Sequence, residues 1–395
     1  MNKEELKKGY NAVIYIISCA LANREVKKEL ISHVPLGVIY AAAARHSLDA
    51  LVTTALEAVG IVSKRAAALK LQSVRKSVMF DKERARILSE FEKRGIKYIP
   101  LKGIILKDLY PAVGLRQMAD NDILFDASFR KEVRSIMLGD GYEISSFGLG
   151  HHDIYLKKPV YNFELHVSLF SRSGKKVFYD YYSNIFERAK SDGVSKFGYR
   201  LSDEDFYVYL KAHEYKHYTD SGTGLRSLVD VFVYLSKKED GLDMNYISSE
   251  CEALGISQYE EKTRLVAKKI FNPDIAEKLV RHDRGLCESP IDTAESEFLY
   301  AFMDSTTYGT NEKMLENIVN KQNKGRDQAT SAKLVYLLGL VFPPLDFYED
   351  VYPGATKKKY LIPFLWIRRC FAIIFKRPKK ALSKIKRVIN TKIEK

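Results

Sequence analysis

The stretch Arg116-Gln117-Met118-Ala119-Asp120-Asn121-Asp122-Ile123-Leu124-Phe125 constrains this chain more than any other. Its second half reads as a short strand over Asn121–Phe125. Residues i and i+2 of a strand point to one face. Asp120 and Asp122 therefore project together, while Ile123 and Phe125 face the other way. Two carboxylates side by side on a sheet repel one another. A divalent cation relieves that repulsion. Mg²⁺ prefers oxygen ligands and is typically held by one or two carboxylates plus substrate phosphates. About one helix earlier, Ile96–Leu101 reads as an apolar strand running into Lys102 and Gly103. Gly103–Tyr110 then reads as a short helix and Pro111–Arg116 as a loop. From the residues alone, two other readings of the pair stay open: aspartates capping the next helix, or a solubility device on an edge strand.

The flanking sequence changes character on both sides. Residues 3–94 read as helices, with Ala12, Ile16, Cys19 and Ala20 at helical spacing. Ser47 is the expected cap of a helix starting near Leu48, and a longer helix runs from Ser63 to a stop at Arg94-Gly95. After the aspartate strand, Ser128 is expected to cap a helix to about Leu138, broken by Gly139-Asp140-Gly141. Strands follow at Tyr142–Phe147, Asp153–Lys157 and Tyr161–Leu169, the last two joined by a turn at Lys158-Pro159. In the last strand Glu164, His166 and Ser168 share one face, and Phe163, Leu165 and Val167 the other. A solvent-facing Glu164 is the alternative. Residues 177–343 return to helices. Ser202-Asp203-Glu204-Asp205 opens one with a cap and an acidic first turn. Arg226–Leu235 forms the next, with Arg226 and Asp230 spaced to pair. Three or four more are expected. The expected division is an N-terminal helical region over 1–94, an α/β core over 95–175, a helical bundle over 176–343 and a tail over 344–395.

Charge separates the tail from the rest. Residues 356–395 hold 14 of the 64 Lys and Arg but a single acid, Glu394, so the formal net charge of +14 belongs almost wholly to the tail. Leu361–Phe375 is apolar but interrupted by Arg368-Arg369, too short to span a bilayer. The functional reading is attachment to an anionic membrane surface through 356–395. The alternative is a helix packed on the body with a solvated basic end. A nucleic-acid partner is not expected. The four cysteines form no CxxC pair, which argues against a disulfide framework or a zinc site. Residues 1–8 are charged and Ala12–Ala22 lacks a cleavage pattern, so a cytoplasmic protein is expected, peripheral to the inner face of the membrane if the tail binds there.

A second constellation is His213-Glu214-Tyr215-Lys216-His217. Two histidines at i and i+4 share a helix face and can bind zinc, and Glu214 completes the letters of a zinc-protease motif. The motif fixes only three positions and no third ligand stands out downstream. Two further readings are packing histidines and a helix lining a nucleotide site.

Leu101-Lys102-Gly103, Tyr110-Pro111, Arg116 to Leu124 and Glu164-Leu165-His166 together resemble the uncharacterised nucleotidyltransferase family of the polymerase-beta-like superfamily. The resemblance covers roughly residues 30–290. It implies an α+β fold, a small mixed sheet flanked by N-terminal and C-terminal helical regions. It also implies Mg²⁺-dependent transfer of a nucleoside monophosphate from an NTP, with ATP expected, to an acceptor hydroxyl or phosphate of a sugar, small molecule or protein, releasing pyrophosphate. Asp120, Asp122 and Glu164 would hold one or two Mg²⁺ ions and carry catalysis. Lys102, Gly103, Arg116, His166, His213 and His217 would line the nucleotide. The superfamily usually places serine after the glycine, and an apolar residue between the aspartates. Here Ile104 and Asn121 stand at those positions. The competing class is a non-catalytic nucleotide-binding or membrane-associated module.

Overall fold

Local signals set the first helices, and burial decides how they assemble. In the computed structural model, residues 3–148, 150–307, 309–311, 313–315, 317, 329–343, 347–348, 359–371, 382–383, 385–386 and 388 are described. α1 (Lys3–Leu21) is buried along the whole run Gly9–Cys19. A helix apolar all round must lie inside a core, and α1 packs on α3 (Leu36–Arg45) and α4 (Asp49–Ala58), which follow the one-turn α2 (Lys28–Ile31). α5 (Lys64–Lys93) begins where Ser63 accepts from the Ala66 N–H at 3.3 Å, and Gly95 stops it at φ +69°. The cap expected of Ser47 is not made. Ser47 sits at φ +53° in the turn closing α3, its hydroxyl accepts from Thr307, and Leu48 takes the cap position without a side-chain bond.

The sheet has five strands in the order β1-β2-β5-β4-β3. β1 (Tyr98–Pro100) pairs antiparallel with β2 (Asn121–Phe125), and β2 pairs parallel with β5 (Tyr161–His166). β4 (His152–Lys157) and β3 (Glu143–Ser146) complete it antiparallel. One face carries Ile123, Phe125, Tyr155, Phe163 and Leu165 against Phe80, Ile87 and Phe91 of α5 and Val133, Ile136 and Met137 of α7 (Arg130–Gly139). The cap of this last helical segment is Asp126, not Ser128: Asp126 accepts from the Ser128 N–H at 2.9 Å and starts a 3₁₀ turn ahead of α7. Asn121, the polar residue on the core face, is fully buried and accepts from Arg84 Nη1 of α5 at 3.0 Å. α6 (Gly103–Leu106) is a single turn followed by a 3₁₀ segment to Leu109.

Beyond the sheet come the short α8 (Lys176–Tyr181) and α9 (Ile185–Arg188) and a two-strand ribbon, β6 (Lys190–Ser191) with β7 (Tyr199–Arg200), which sequence periodicity missed. α10 (Asp203–Asp220) opens with the expected cap, Ser202 accepting from the Asp205 N–H at 3.0 Å. α11 (Leu225–Lys238), α12 (Met244–Ala253), α13 (Ser257–Ile270), α14 (Pro273–His282) and α15 (Thr293–Met303) follow, and the helix Ala329–Val341 extends the count beyond the three or four expected. α1 packs against α14 as closely as against α3, so the helices before and after the sheet share one apolar core. That core also takes Ile99, Leu101 and Leu124 from the second face of the sheet. The basic runs Lys357-Lys358 and 376–380 lie outside the described residues. Among those described, no helix is long and apolar enough to cross a membrane.

His46, at the end of α3, joins the two helical regions. Its Nδ1 accepts from the Leu225 N–H at 3.2 Å, and its ring lies 5.1 Å from that of Tyr10. It stands at the C-terminal cap of α3. Burial pulls its pKa from 6.5 down to about 3. The unfolded chain therefore binds a proton that the folded chain does not, and stability is lost as pH falls below the unfolded value. Between pH 7 and pH 5 this contributes a loss of about 2 kcal/mol. Urea unfolding at the two pH values should show that much less loss in His46→Asn, which keeps an acceptor for Leu225. Equal losses in both proteins would refute it.

Candidate active site

The β2–β5 register sets the site. Asp122 lies opposite Glu164, and Leu124 opposite His166, on neighbouring parallel strands. On the next strand, His152 lies opposite His166 and Ile154 opposite Glu164. Strand alternation then puts Asp122, Glu164, His166 and His152 on the face away from α5. A ligand atom from each of Asp122, Glu164 and His166 falls within 4.8 Å of the other two. Asp120, one step before β2, is near enough for the Asp122 charge to act on it.

Asp122 is the centre of this group. Its Oδ1 accepts from Lys102 Nζ at 3.0 Å and from His166 Nε2 at 2.8 Å. All three side chains are nearly out of solvent. Burial opposes ionisation of Asp122, but Lys102 and the His166 bond win and hold its carboxyl well below the usual range. Burial likewise acts against the Lys102 ammonium, and Asp122, Tyr209 and Asp120 hold it above its ordinary value. Among the described residues, Lys102 and Arg226 near Asp120 and Lys102 and Lys216 near Glu164 offset burial less fully. Burial and then the Asp122 charge push Asp120 up to about 6 and Glu164 up to about 7. Negative charge is crowded here beyond what Lys102 neutralises. The donor set of carboxylate oxygens therefore suits a hard dication such as Mg²⁺.

Lys102 is held in an uncommon conformation, φ +43°, at the cap of α6. Such backbone costs a non-glycine residue on the order of 1–3 kcal/mol and persists only where neighbours enforce it. Gly103 permits close packing behind it, since a Cβ there would meet Arg116 Nη1 at 2.6 Å and Met118 Sδ at 3.0 Å. The Gly103 N–H makes no hydrogen bond among the described residues, whereas the Ile104 and Ile105 N–H groups are taken by Leu101 and Lys102 carbonyls. With a single turn of helix behind it, α6 adds little dipole to this amide.

Arg116 stands behind the turn. Its Nε and Nη2 donate to the two carboxylate oxygens of Asp230 at 2.8 and 2.9 Å, and Tyr110 OH donates to Asp230 Oδ1 at 2.7 Å. Asp230 was expected to pair with Arg226; the buried guanidinium of Arg116 takes it instead, and Arg226 Nη1 donates to the Gln117 carbonyl at 3.3 Å. Two helical segments are thus clamped to the loop that delivers Asp120.

α10 brings His213, expected from the sequence, together with Tyr209 and Lys216, to which the sequence assigned no role. Tyr209, His213 and Lys216 lie close enough to Lys102 to change, or be changed by, its charge, and Lys216 acts on Glu164. The Tyr209 hydroxyl is buried without a hydrogen-bond partner among the described residues. His213 and His217 meet through their Nε2 atoms at 3.2 Å, and burial pulls His217 down to about 4. Glu214 turns into the helical core, accepting from Lys211 and from Tyr259 OH at 2.8 Å each. The protease-like letters therefore do not form one site. From α5, Lys76 approaches Asp120 and donates to the Ala119 carbonyl at 3.4 Å. No local periodicity marks Tyr209, Lys216 or Lys76, because only tertiary packing brings them to the sheet.

The Arg116–Asp230 pair yields a stability test. Removing one partner of a buried pair typically costs 3–5 kcal/mol, while replacing both by apolar groups is often close to neutral. Asp230→Ala should lose that much in urea unfolding, and Arg116→Met with Asp230→Leu should lose clearly less. A single variant as stable as the wild type would refute the clamp.

A family model described as uncharacterised nucleotidyltransferase matches residues 33–272. No curated protein and no solved structure matches the chain.

Proposed function

The chain belongs to the uncharacterised nucleotidyltransferase family, and from that premise we propose that it moves a nucleoside monophosphate from an NTP, ATP in the first instance, to an acceptor hydroxyl or phosphate. The family supports nucleotidyl transfer in general. The observation that carries the finer reading is the β2–β5 register, which sets Glu164 beside Asp122, with Asp120 near enough to feel the Asp122 charge. Asp120 and Asp122 would hold Mg²⁺, and Glu164 would join a second ion or accept the proton of the attacking hydroxyl. When bound, the metal supplies positive charge against the triphosphate and the leaving pyrophosphate.

The protein's own groups do the positioning. Lys102, now paired with Asp122, is placed to turn its charge to phosphate oxygens, and the Gly103 N–H offers a hydrogen bond beside it. His166 orients the Asp122 carboxylate through the 2.8 Å bond. Lys216, His213, His217 and Tyr209 form the opposite wall from α10 and supply donors for the nucleotide or acceptor. Arg116 is proposed as a positioning residue, since Asp230 occupies its guanidinium. Pyrophosphate release from NTP and Mg²⁺ by the purified chain is the test. Asp120→Asn combined with Asp122→Asn should lower it at least about 100-fold, equivalent to about 3 kcal/mol of lost transition-state stabilisation. Consumption at the wild-type rate by the double variant would sink the metal-site reading, and nucleotide binding without turnover would favour the non-catalytic module.

A second reading concerns location. The helix Ile362–Phe371 exposes Phe364 at 69%, Ile367 at 55% and Phe371 at 58%. Phe342 meets Trp366 at 5.4 Å between ring centroids, so the helix Ala329–Val341 adds exposed Leu334 and Leu338 to the same end of the chain. Exposed apolar side chains within a strongly basic segment fit peripheral attachment to an anionic bilayer. The full chain should co-sediment with vesicles containing phosphatidylserine, while a chain ending at Pro353 should stay in the supernatant. Equal partitioning of the two would remove this reading.

A further inference from the structure

A second group of donors adjoins the carboxylates, and it is of a different chemical kind. His152 and His166 are directly opposed across the antiparallel β4–β5 pair, with ring centroids 5.0 Å apart. His151 is fixed at the start of β4 because its carbonyl accepts from the Val167 N–H at 2.9 Å and the Ser168 N–H at 3.3 Å. Its ring centroid lies 4.6 Å from that of His152 and 5.7 Å from that of His166. One nitrogen from each of the three rings lies within 4.8 Å of the other two. We propose that His151, His152 and His166 form a binding site for a borderline dication, Zn²⁺ or its neighbours Co²⁺ and Ni²⁺, separate from the carboxylate set suited to Mg²⁺.

Two features of the rings point to a metal rather than to packing. The first is spacing. His151 Nε2 and His152 Nδ1 face each other at 3.3 Å. Two nitrogens bound at the usual Zn–N length of about 2.0–2.1 Å in a tetrahedron are separated by about 3.4 Å. The second is His166. Its Nε2 must carry the proton, because it donates to the Asp122 carboxylate. Its Nδ1 is therefore a bare lone pair, and it is buried without a partner among the described residues, in a side chain only 3% exposed. A ligating histidine almost always gives its other N–H to a carboxylate, carbonyl or water, which fixes the tautomer and raises the basicity of the ligating nitrogen. His166 and Asp122 are already in that arrangement. Imidazole donors suit Zn²⁺, Ni²⁺ and Co²⁺, whereas Mg²⁺ keeps to oxygen.

The other histidine pair shares the spacing and nothing else. His213 and His217 meet at 3.2 Å, but no third donor completes a group with them among the described residues, and Glu214 is committed to Lys211 and Tyr259. Three protein ligands at the β4–β5 site leave a fourth position for water or for an oxygen of a bound molecule. Glu164 Oε2, 3.8 Å from His152 Nε2, is near enough to orient that group.

Titration of the full chain with Co²⁺ in the presence of saturating Mg²⁺ tests this. The wild type should develop the intense visible band of tetrahedral Co²⁺ at about one equivalent, and Zn²⁺ should abolish it. His151→Ala with His152→Ala should weaken binding at least about 100-fold, beyond the range seen when only an outer hydrogen-bond partner is lost. Asp120→Asn should leave Co²⁺ binding unchanged. That variant separates this inference from nucleotidyl transfer, because binding can persist where turnover fails and the reverse. No tetrahedral band in the wild type, or a band of undiminished affinity in the double variant, overturns the proposal. Should the double variant misfold, anomalous scattering at the zinc edge from a Zn²⁺-soaked wild-type crystal decides: a peak among the three rings supports the site, and none there overturns it.

Discussion

The pairing of Asp122 with Lys102 and His166 is the interaction on which the rest of the site depends. Two side chains, one from the turn before α6 and one from β5, converge on a single carboxylate oxygen of β2. Isolated, a carboxylate so far from water would be costly, and the cation and the imidazole N–H together offset that. The same arrangement leaves Asp120 and Glu164 with burial and repulsion that the nearby cations only partly offset. A site built this way is poised to receive positive charge. Like charge accumulated on neighbouring buried strands is a stability cost, which is the physical ground for a functional reading.

The helices make that crowding sustainable. α5 and α7 close one face of the sheet with an apolar layer and satisfy Asn121 through Arg84. α10 and α11 close the other, α10 by laying Tyr209, His213 and Lys216 across the carboxylates, α11 by anchoring Arg116 through Asp230. Because α1 packs on α14 in the same core, the two helical regions form one body around the site face. The tight turn at Lys102-Gly103 can hold its unfavourable dihedral only because this body fixes Arg116 and Met118 behind it.

Period-two alternation made much of this legible. It placed β2 at Asn121–Phe125, separated Asp122 from Ile123 and Phe125, and grouped Glu164 with His166, all as found. Strong local helix signals did as well: Ser63, Gly95 and Ser202 bound helices where expected. The failures share a cause. Ser47 and Ser128 look like caps, but a left-handed turn and a neighbouring Asp126 took those roles. Asp230 had a helical partner four residues away and chose one 114 residues distant, because only there could both oxygens be satisfied out of water. Lys216 and Tyr209 belong to a helix whose polar and apolar residues are spread around its axis, so no pattern declared which face met the sheet. His151 and His152 lie just before the strand expected over Asp153–Lys157 and carried no signal of their own. Their relation to His166 appears only once β4 and β5 are paired.

In the proposed reaction the Asp120–Asp122 pair would hold a metal against a nucleoside triphosphate at the Lys102-Gly103 turn. The most direct measurement is a crystal structure of the full chain with a non-hydrolysable NTP analogue and Mn²⁺ in place of Mg²⁺. An anomalous Mn²⁺ peak coordinated by Asp120 and Asp122 is expected, with Lys102 turned from Asp122 to the phosphates. A triphosphate bound elsewhere, or Mn²⁺ absent from both aspartates while nucleotide is present, would contradict it.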